Sequence, residues 1–253
     1  MSWAREQFGR PAREAPTPEP RIVPTAVEQG RHPVLASLPL EVRLAVYRRG
    51  HLQEVRAGER LSEGCGVQFV LTGAVGLFRR DGSGVCLRLA GPGSIVNAEA
   101  LADGGARRDR RVLVPGAVLS LRGPDLVEII GRARADRLLI DQMLAEQSLQ
   151  DGDIACNALH LAPARLARWL LQLHEAATGA DIQITQAELA AMLGIQRTSV
   201  NAAGKALQDQ GAVRFVRGRV RILRPEILQR SACACLAPAG PEASPASRVA
   251  GAA

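Results

Sequence analysis

The stretch from Ile184 to Leu223 limits what this chain can fold into more than any other. Thr185-x-x-Glu188 is a capping box: hydroxyl and carboxylate reciprocally satisfy orphan amides, so a helix starts there. Leu189, Met192 and Leu193 then repeat at helical spacing, and small Ala190 sits where a second helix must approach closely. Gly194 is placed for the left-handed C-terminal cap that residues with a Cβ adopt at a cost, and Ile195 for plugging the corner. In the next helix Val200, Ala203 and Leu207 face inward, which leaves Gln196, Arg197, Thr198, Ser199, Asn201 and Lys205 on a polar, basic face. Gly211 stops that helix. Val213, Phe215, Val220 and Ile222 then alternate with Arg214, Arg219 and Arg221 around an Arg217-Gly218 turn, the pattern of a β-hairpin.

Helix, turn, helix and basic hairpin in this order predict a winged helix-turn-helix that reads DNA. The predicted contacts are Thr185, Gln196, Arg197, Thr198, Ser199, Asn201, Lys205, Arg217 and Arg219. A helical hairpin packed on a small sheet, with a solvated arginine face, is the plainer alternative. It does not call for cap, glycine corner, polar helix face and basic hairpin to coincide.

Charge supports a polyanionic partner. The 253-residue chain carries a formal net charge of +7. From His160 to Ala232 there are nine Arg and one Lys against five acids, so most of the excess lies around the predicted reader. Lys205 is the only lysine in a chain heavy in Arg, Ala, Gly and Pro, so part of the basicity reflects overall composition. No apolar run is long enough to span a membrane, and Arg5, Glu6 and Arg10 occupy the place of a signal peptide's apolar core. The expectation is a cytoplasmic protein with no membrane partner. Cys65, Cys86, Cys156, Cys233 and Cys235 are an odd, scattered set, unlike a secreted disulfide framework.

Residues 1–33, rich in Pro, Arg and Glu, and 237–253, rich in Ala, Pro, Gly and Ser, read as disordered tails. Between them, Pro39 to Gly50 predicts a short amphipathic helix. Leu52 to Leu121, in a sensor domain expected over 34–123, then carries short strands, including 68–72, 74–78 and 85–90, whose regular glycine turns favour a barrel or roll. From Pro124 to His160 the pattern is helical. Leu138, Leu139, Ile140, Met143, Leu144, Leu149 and Ile154 cover more than one side, which suits a helix packed on its own domain and on a second copy. Asp151-Gly152-Asp153 is a candidate kink, because an interior glycine costs about 1 kcal/mol of helix propensity. Residues 164–173 form another amphipathic helix, with Trp169 as a core anchor, leading into the reader domain over 161–236.

In this order the elements resemble the Crp/Fnr superfamily of bacterial transcription regulators, over roughly residues 38–235. In the first half the resemblance rests on Ala57-Gly58-Glu59, Gly64, Val70-Leu-Thr-Gly73-Ala-Val75 and Gly91-Pro92-Gly93. In the second it rests on Ala155-Cys156-Asn157, His160, Arg165-Leu-Ala-Arg168-Trp169-Leu-Leu171, Leu193-Gly194-Ile195-Gln196-Arg197-Thr198-Ser199-Val200 and Ala232-Cys233-Ala-Cys235. The resemblance implies an α+β fold: an N-terminal β-roll of the double-stranded β-helix type, a long dimerisation helix over 124–160, and a C-terminal winged helix-turn-helix domain. It also implies a homodimer on a near-palindromic double-stranded DNA site, with RNA polymerase as a further partner. Ile140, Met143 and Leu144 are the expected dimer-interface residues. Arg197 matches the family's base-reading arginine, while Thr198 and Ala202 stand where many relatives carry Glu and a second Arg.

The expected effector pocket comprises Glu99, Arg107 and Arg108, with the effector unassigned and no cofactor predicted. In cyclic-nucleotide-binding relatives a Gly-Glu pair holds the ribose, and an Arg followed by a small hydroxyl residue holds the phosphate. Here Asp109 falls where the hydroxyl donor is expected, and a carboxylate beside a phosphate repels it. Cyclic nucleotides are therefore not the expected effector. Cys156 and His160 share a helix face, and Cys233-x-Cys235 is a second candidate pair, but two ligands are too few and no metal is assigned. Relatives with iron–sulfur clusters use an N-terminal cysteine group that this chain lacks. His32, His51, His160 and His174 are scattered, and neither a nucleophile triad nor a phosphate loop is present, so catalysis is not expected. The rival reading is a β-roll ligand-sensing or interaction module whose helical end docks a protein instead of DNA.

Overall fold

The computed structural model describes residues 32–61, 66–102, 107–233 and 235. The predicted tails lie outside the described residues except for His32 and Pro33, and so do Gly64 and Cys65. His32 and Pro33, expected in the N-terminal tail, are folded. Pro33 opens a one-turn helix, α1 (Pro33–Ala36), for which its fixed φ is preorganised. His32 is fully buried, edge-on to the Phe69 ring with centroids 5.2 Å apart, and its Nε2 lies 3.2 Å from the Ser94 carbonyl. The expected amphipathic helix follows Pro39 as α2 (Leu40–Arg49) and is capped at Gly50.

Seven strands make the roll: β1 (His51–Val55), β2 (Val67–Val70), β3 (Ala74–Phe78), β4 (Cys86–Ala90), β5 (Ile95–Val96), β6 (Asp109–Val114) and β7 (Gly116–Leu121). They form two antiparallel sheets, ordered β1-β7-β2-β5 and β4-β3-β6. Val55, Val70 and Val118 from the first sheet meet Val75, Leu77 and Val112 from the second inside the roll. The outer face of the first sheet packs Phe69 and Leu119 against Leu35, Val46 and Leu126 of the surrounding helices. The outer face of the second packs Ala74, Phe78 and Leu113 against the C-terminal domain. This double burial explains why β2 and β3 are buried along their whole length instead of alternating.

After α3 (Gly123–Ile130), α4 (Arg132–Leu159) runs unbroken for 28 residues, straight through Gly152. Asp151-Gly152-Asp153, a place for a kink or break by propensity, does not interrupt the helix. Asp153, next to the glycine, is tied to Arg168, and Cys156 one turn later is 1% exposed, so packing just beyond the glycine outweighs its propensity cost. No helix of the described residues is long and apolar enough to cross a membrane.

The C-terminal domain comprises α5 (Ala162–Ala176), β8 (Ile182–Gln183), α6 (Gln186–Leu193), α7 (Arg197–Asp209), β9 (Val213–Val216), β10 (Arg219–Ile222) and α8 (Pro225–Ser231). Its sheet has the order β8-β10-β9, so the hairpin gains a third strand that the sequence reading did not foresee. Leu166, Trp169, Leu170 and Leu173 on α5 share one core with Leu189 and Val200. Trp169 anchors that core as expected.

Candidate nucleic-acid interface

The reading head is built from the two ends of α6. At its start the Glu188 N–H donates to Thr185 Oγ1 at 3.1 Å, while the Thr185 N–H donates to Glu188 Oε2 at 2.8 Å, completing the capping box. At its end Gly194 adopts φ +62°, and the Ile195 N–H returns to the Ala190 carbonyl at 3.1 Å. Arg165 of α5 donates to the Leu193 carbonyl at 2.6 Å, which fixes the corner to the domain core. The turn therefore holds α7 at a set angle with Gln196 as its N-cap and Arg197 as its first residue.

On α7, Val200, Ala203 and Leu207 are buried as expected. Gln196, Arg197, Thr198, Asn201, Ala202 and Lys205 are exposed on the other side, and Ser199 is half-buried. A Cβ added at Gly204 would come within 2.9 Å of the Phe215 ring, so helix and hairpin touch there without room for a side chain. The Phe215 N–H also donates to Gln208 Oε1 at 2.8 Å. Arg224 caps the end of α7 by donating to the carbonyls of Gly211 and Gln210, each at 3.0 Å. The sequence alone does not mark these braces: Arg224 is 13 residues from Gly211 and 14 from Gln210, with the hairpin between, so no local pattern encodes the cap.

The hairpin turns at Arg217 and Gly218, whose φ of +34° and +78° give the right twist for joining β9 to β10. Arg214, Arg217 and Arg219 are exposed. Arg221 is committed elsewhere: its guanidinium grips both oxygens of Asp181, at 2.7 and 2.8 Å, and clamps the hairpin to the strand leading into α6. Arg197, Arg214 and Arg217 make no salt bridge among the described residues. Thr185, at the near end of α6, lies against the hairpin turn, its Cγ2 3.7 Å from a Cβ position at Gly218.

The β-roll residues predicted to form an effector pocket are not gathered in the same way. Glu99 is half-buried on a 3-10 helix (Ala98–Ala102), Arg107 is exposed, and Arg108 donates to Glu146 Oε2 of α4 at 2.8 Å. Arg88, 8% exposed, takes the other oxygen of the same carboxylate at 2.7 Å. Burial pushes the Arg88 guanidinium down from its ordinary value, and Glu146 opposes that shift. Asp109 lies 3.6 Å from Arg80. On the long helix, Ile140, Met143 and Leu144 are exposed to 53, 63 and 60%, an apolar stripe with nothing over it in the single chain.

Residues 164–231 match the Crp-like helix-turn-helix domain. Over 174 residues the chain is 31% identical to the cyclic AMP receptor protein of Thermus thermophilus, covering 67% of this chain and 80% of that protein. The chain belongs to the Crp/Fnr family of transcription regulators. Its fold recurs in solved family structures: FixK2 of Bradyrhizobium japonicum is 19% identical, with a TM-score of 0.56 over 73% of this chain and 98% of that one. TTHB099, a CRP-family transcriptional regulator of Thermus thermophilus, is 21% identical, with a TM-score of 0.55 over 71% and 96%. The α+β architecture of this Crp/Fnr member, with β-roll, long helix and C-terminal helix-turn-helix, is the one its sequence predicts.

Proposed function

We propose that this Crp/Fnr regulator works in the cytoplasm as a homodimer, reads a near-palindromic double-stranded DNA site through α7, and acts on transcription by RNA polymerase. One observation carries the reading. The exposed face of α7 and the adjoining hairpin present Arg197, Lys205, Arg214 and Arg217 to solvent around a polar centre at Thr198 and Asn201. Phosphate neutralisation requires clustered cations flanking the reading helix, and base readout requires hydrogen-bonding side chains between them. Pairing of two copies through Ile140, Met143 and Leu144 covers their apolar stripe and gives two reading helices related by a two-fold axis.

The β-roll senses something other than a cyclic nucleotide. The buried cation at Arg88 and its neighbour Arg108 already share an internal carboxylate, and Asp109 brings a negative charge to the same edge. A cyclic phosphate entering there would have to displace Glu146 and approach Asp109.

The experiment is fluorescence anisotropy with duplex DNA selected from the source genome, over a range of salt, with light scattering on the same samples. Expected are a dimer at micromolar concentration and an affinity for selected duplex that falls steeply with salt and is unmoved by cyclic AMP or cyclic GMP. Binding that is insensitive to salt, or equal for selected and random duplexes, overturns the DNA reading.

A further inference from the structure

The cysteines and histidine that form two separate pairs in the sequence meet in space. Cys156 lies in the last turn of α4 and His160, four residues on, is its C-cap. The chain leaves α8 in an extended conformation at Ala232 and carries Cys233 and Cys235 to the same point. Cys156 Sγ lies 3.4 Å from Cys233 Sγ, and Cys235 Sγ lies 3.6 Å from His160 Nδ1. All four ligand atoms fall within 4.8 Å of one another.

Those separations fit a single ion. Metal–sulfur and metal–nitrogen distances of about 2.3 and 2.0 Å put the edges of a tetrahedron at about 3.8 Å between sulfurs and about 3.5 Å between sulfur and nitrogen. An iron–sulfur cluster places several irons and sulfides between its cysteines and needs wider spacing. Three thiolates and one imidazole are the donors of a closed structural zinc site.

We propose that Cys156, His160, Cys233 and Cys235 bind one zinc-class divalent cation, which staples the end of the long helix to the end of the DNA-binding domain. As the ion enters, each of the three thiols releases its proton and His160 gives its lone pair from Nδ1, with no change of oxidation state. The complex carries a net charge of −1. Arg168, 5% exposed and paired with Asp153, lies close enough to feel both Cys156 and Cys233, and so supplies a buried positive charge beside it. Cys156 and Cys233 are buried while His160 and Cys235 are half-buried, which leaves the ion a path in from one side.

The position gives the site its consequence. Only His160 and Leu161 join α4 to α5, and His160 is itself a ligand. An ion bound there fixes the DNA-binding domain relative to the long helix at their junction.

The test uses the full-length protein, kept reduced with a phosphine, and titrates it with Co²⁺. The expected result is one Co²⁺ per chain with thiolate charge-transfer absorption and the visible bands of a tetrahedral ion, displaced by one equivalent of Zn²⁺. Cys235→Ser and His160→Ala remove the half-buried ligands and should each weaken Co²⁺ binding by more than about tenfold, with circular dichroism unchanged. Cys86→Ser, in the β-roll, should titrate like the unaltered protein. Absence of a saturable one-to-one Co²⁺ signal overturns the proposal, and so does unchanged binding in both Cys235→Ser and His160→Ala. A Cys156–Cys233 disulfide in air together with no metal uptake by the reduced protein would overturn it in favour of a redox pair. None of these readouts uses DNA, so the metal site and the DNA reading fail separately.

Discussion

In the β-roll, Arg88 and Arg108 close on Glu146 from the long helix, whereas on the reader Arg197, Arg214 and Arg217 stand in solvent with no salt bridge among the described residues. Residue type is the same and setting is opposite. A buried guanidinium must be paired within the protein, because the folded chain cannot leave it unsolvated and alone. An exposed one keeps its water and stays available for a partner's phosphate. These arginines therefore do two different things: Arg88 and Arg108 tie the roll to α4, while Arg197, Arg214 and Arg217 remain surface charge. Substitutions in the first region should act on stability, and those in the second on DNA binding with little change in stability.

Glu146→Ala should give the largest effect. It leaves Arg88 buried beside Arg108 with no acid between them, at a cost of about 3 kcal/mol in urea unfolding. A loss below 1 kcal/mol would erase the distinction between the two regions. The buried His32 makes a second, pH-dependent case. Desolvation holds its pKa at about 4, against 6.5 in the unfolded chain. Between these values the unfolded chain holds a proton that the folded one excludes. Stability is then complete above pH 6.5 and falls by about 3 kcal/mol as pH drops toward 4. Urea midpoints measured over that window should lose this slope in His32→Gln, and an unchanged slope would refute the assignment.

The reader was the more legible half, for a physical reason. The capping box at Thr185, the left-handed Gly194 and the Arg217-Gly218 turn are local features, each set by a few consecutive residues. The Arg88–Glu146–Arg108 cluster joins positions 88, 108 and 146, and no periodicity encodes such a meeting. The same holds for Cys156 and Cys233, 77 residues apart, which as separate pairs looked too few for a metal. Gly152 was misleading in the other direction: its propensity argued for a kink or break, and with Asp153 and Cys156 held by packing the helix runs on without interruption.

On the reader, Arg197→Ala sharpens the comparison. Arg197 is the first residue of α7, and in the proposed reading it contacts a base edge, guanine by preference, so its loss should weaken binding to the selected site by about 1 to 3 kcal/mol. Random duplexes should lose much less, and the urea midpoint should hold. Equal losses on both kinds of duplex would remove Arg197 from the base-reading role.

Arg219→Ala should have the smallest effect and the most diagnostic shape. Arg219 opens β10 just after the Arg217-Gly218 turn, between Val216 of β9 and Gln183 of β8, and is exposed. In the proposed reading this cation neutralises a phosphate and reads no base. Its removal should weaken selected and random duplexes alike, by at most about 1 kcal/mol at moderate salt, and reduce the slope of log affinity against log salt by about 0.9. The loss should shrink as salt rises, because counterions then compete for the same phosphate. A loss confined to the selected site would make Arg219 a base reader and extend the recognition surface from α7 into the hairpin. An unchanged slope would mean that the exposed arginine touches no phosphate, and that the contrast with the buried cluster fails at this position.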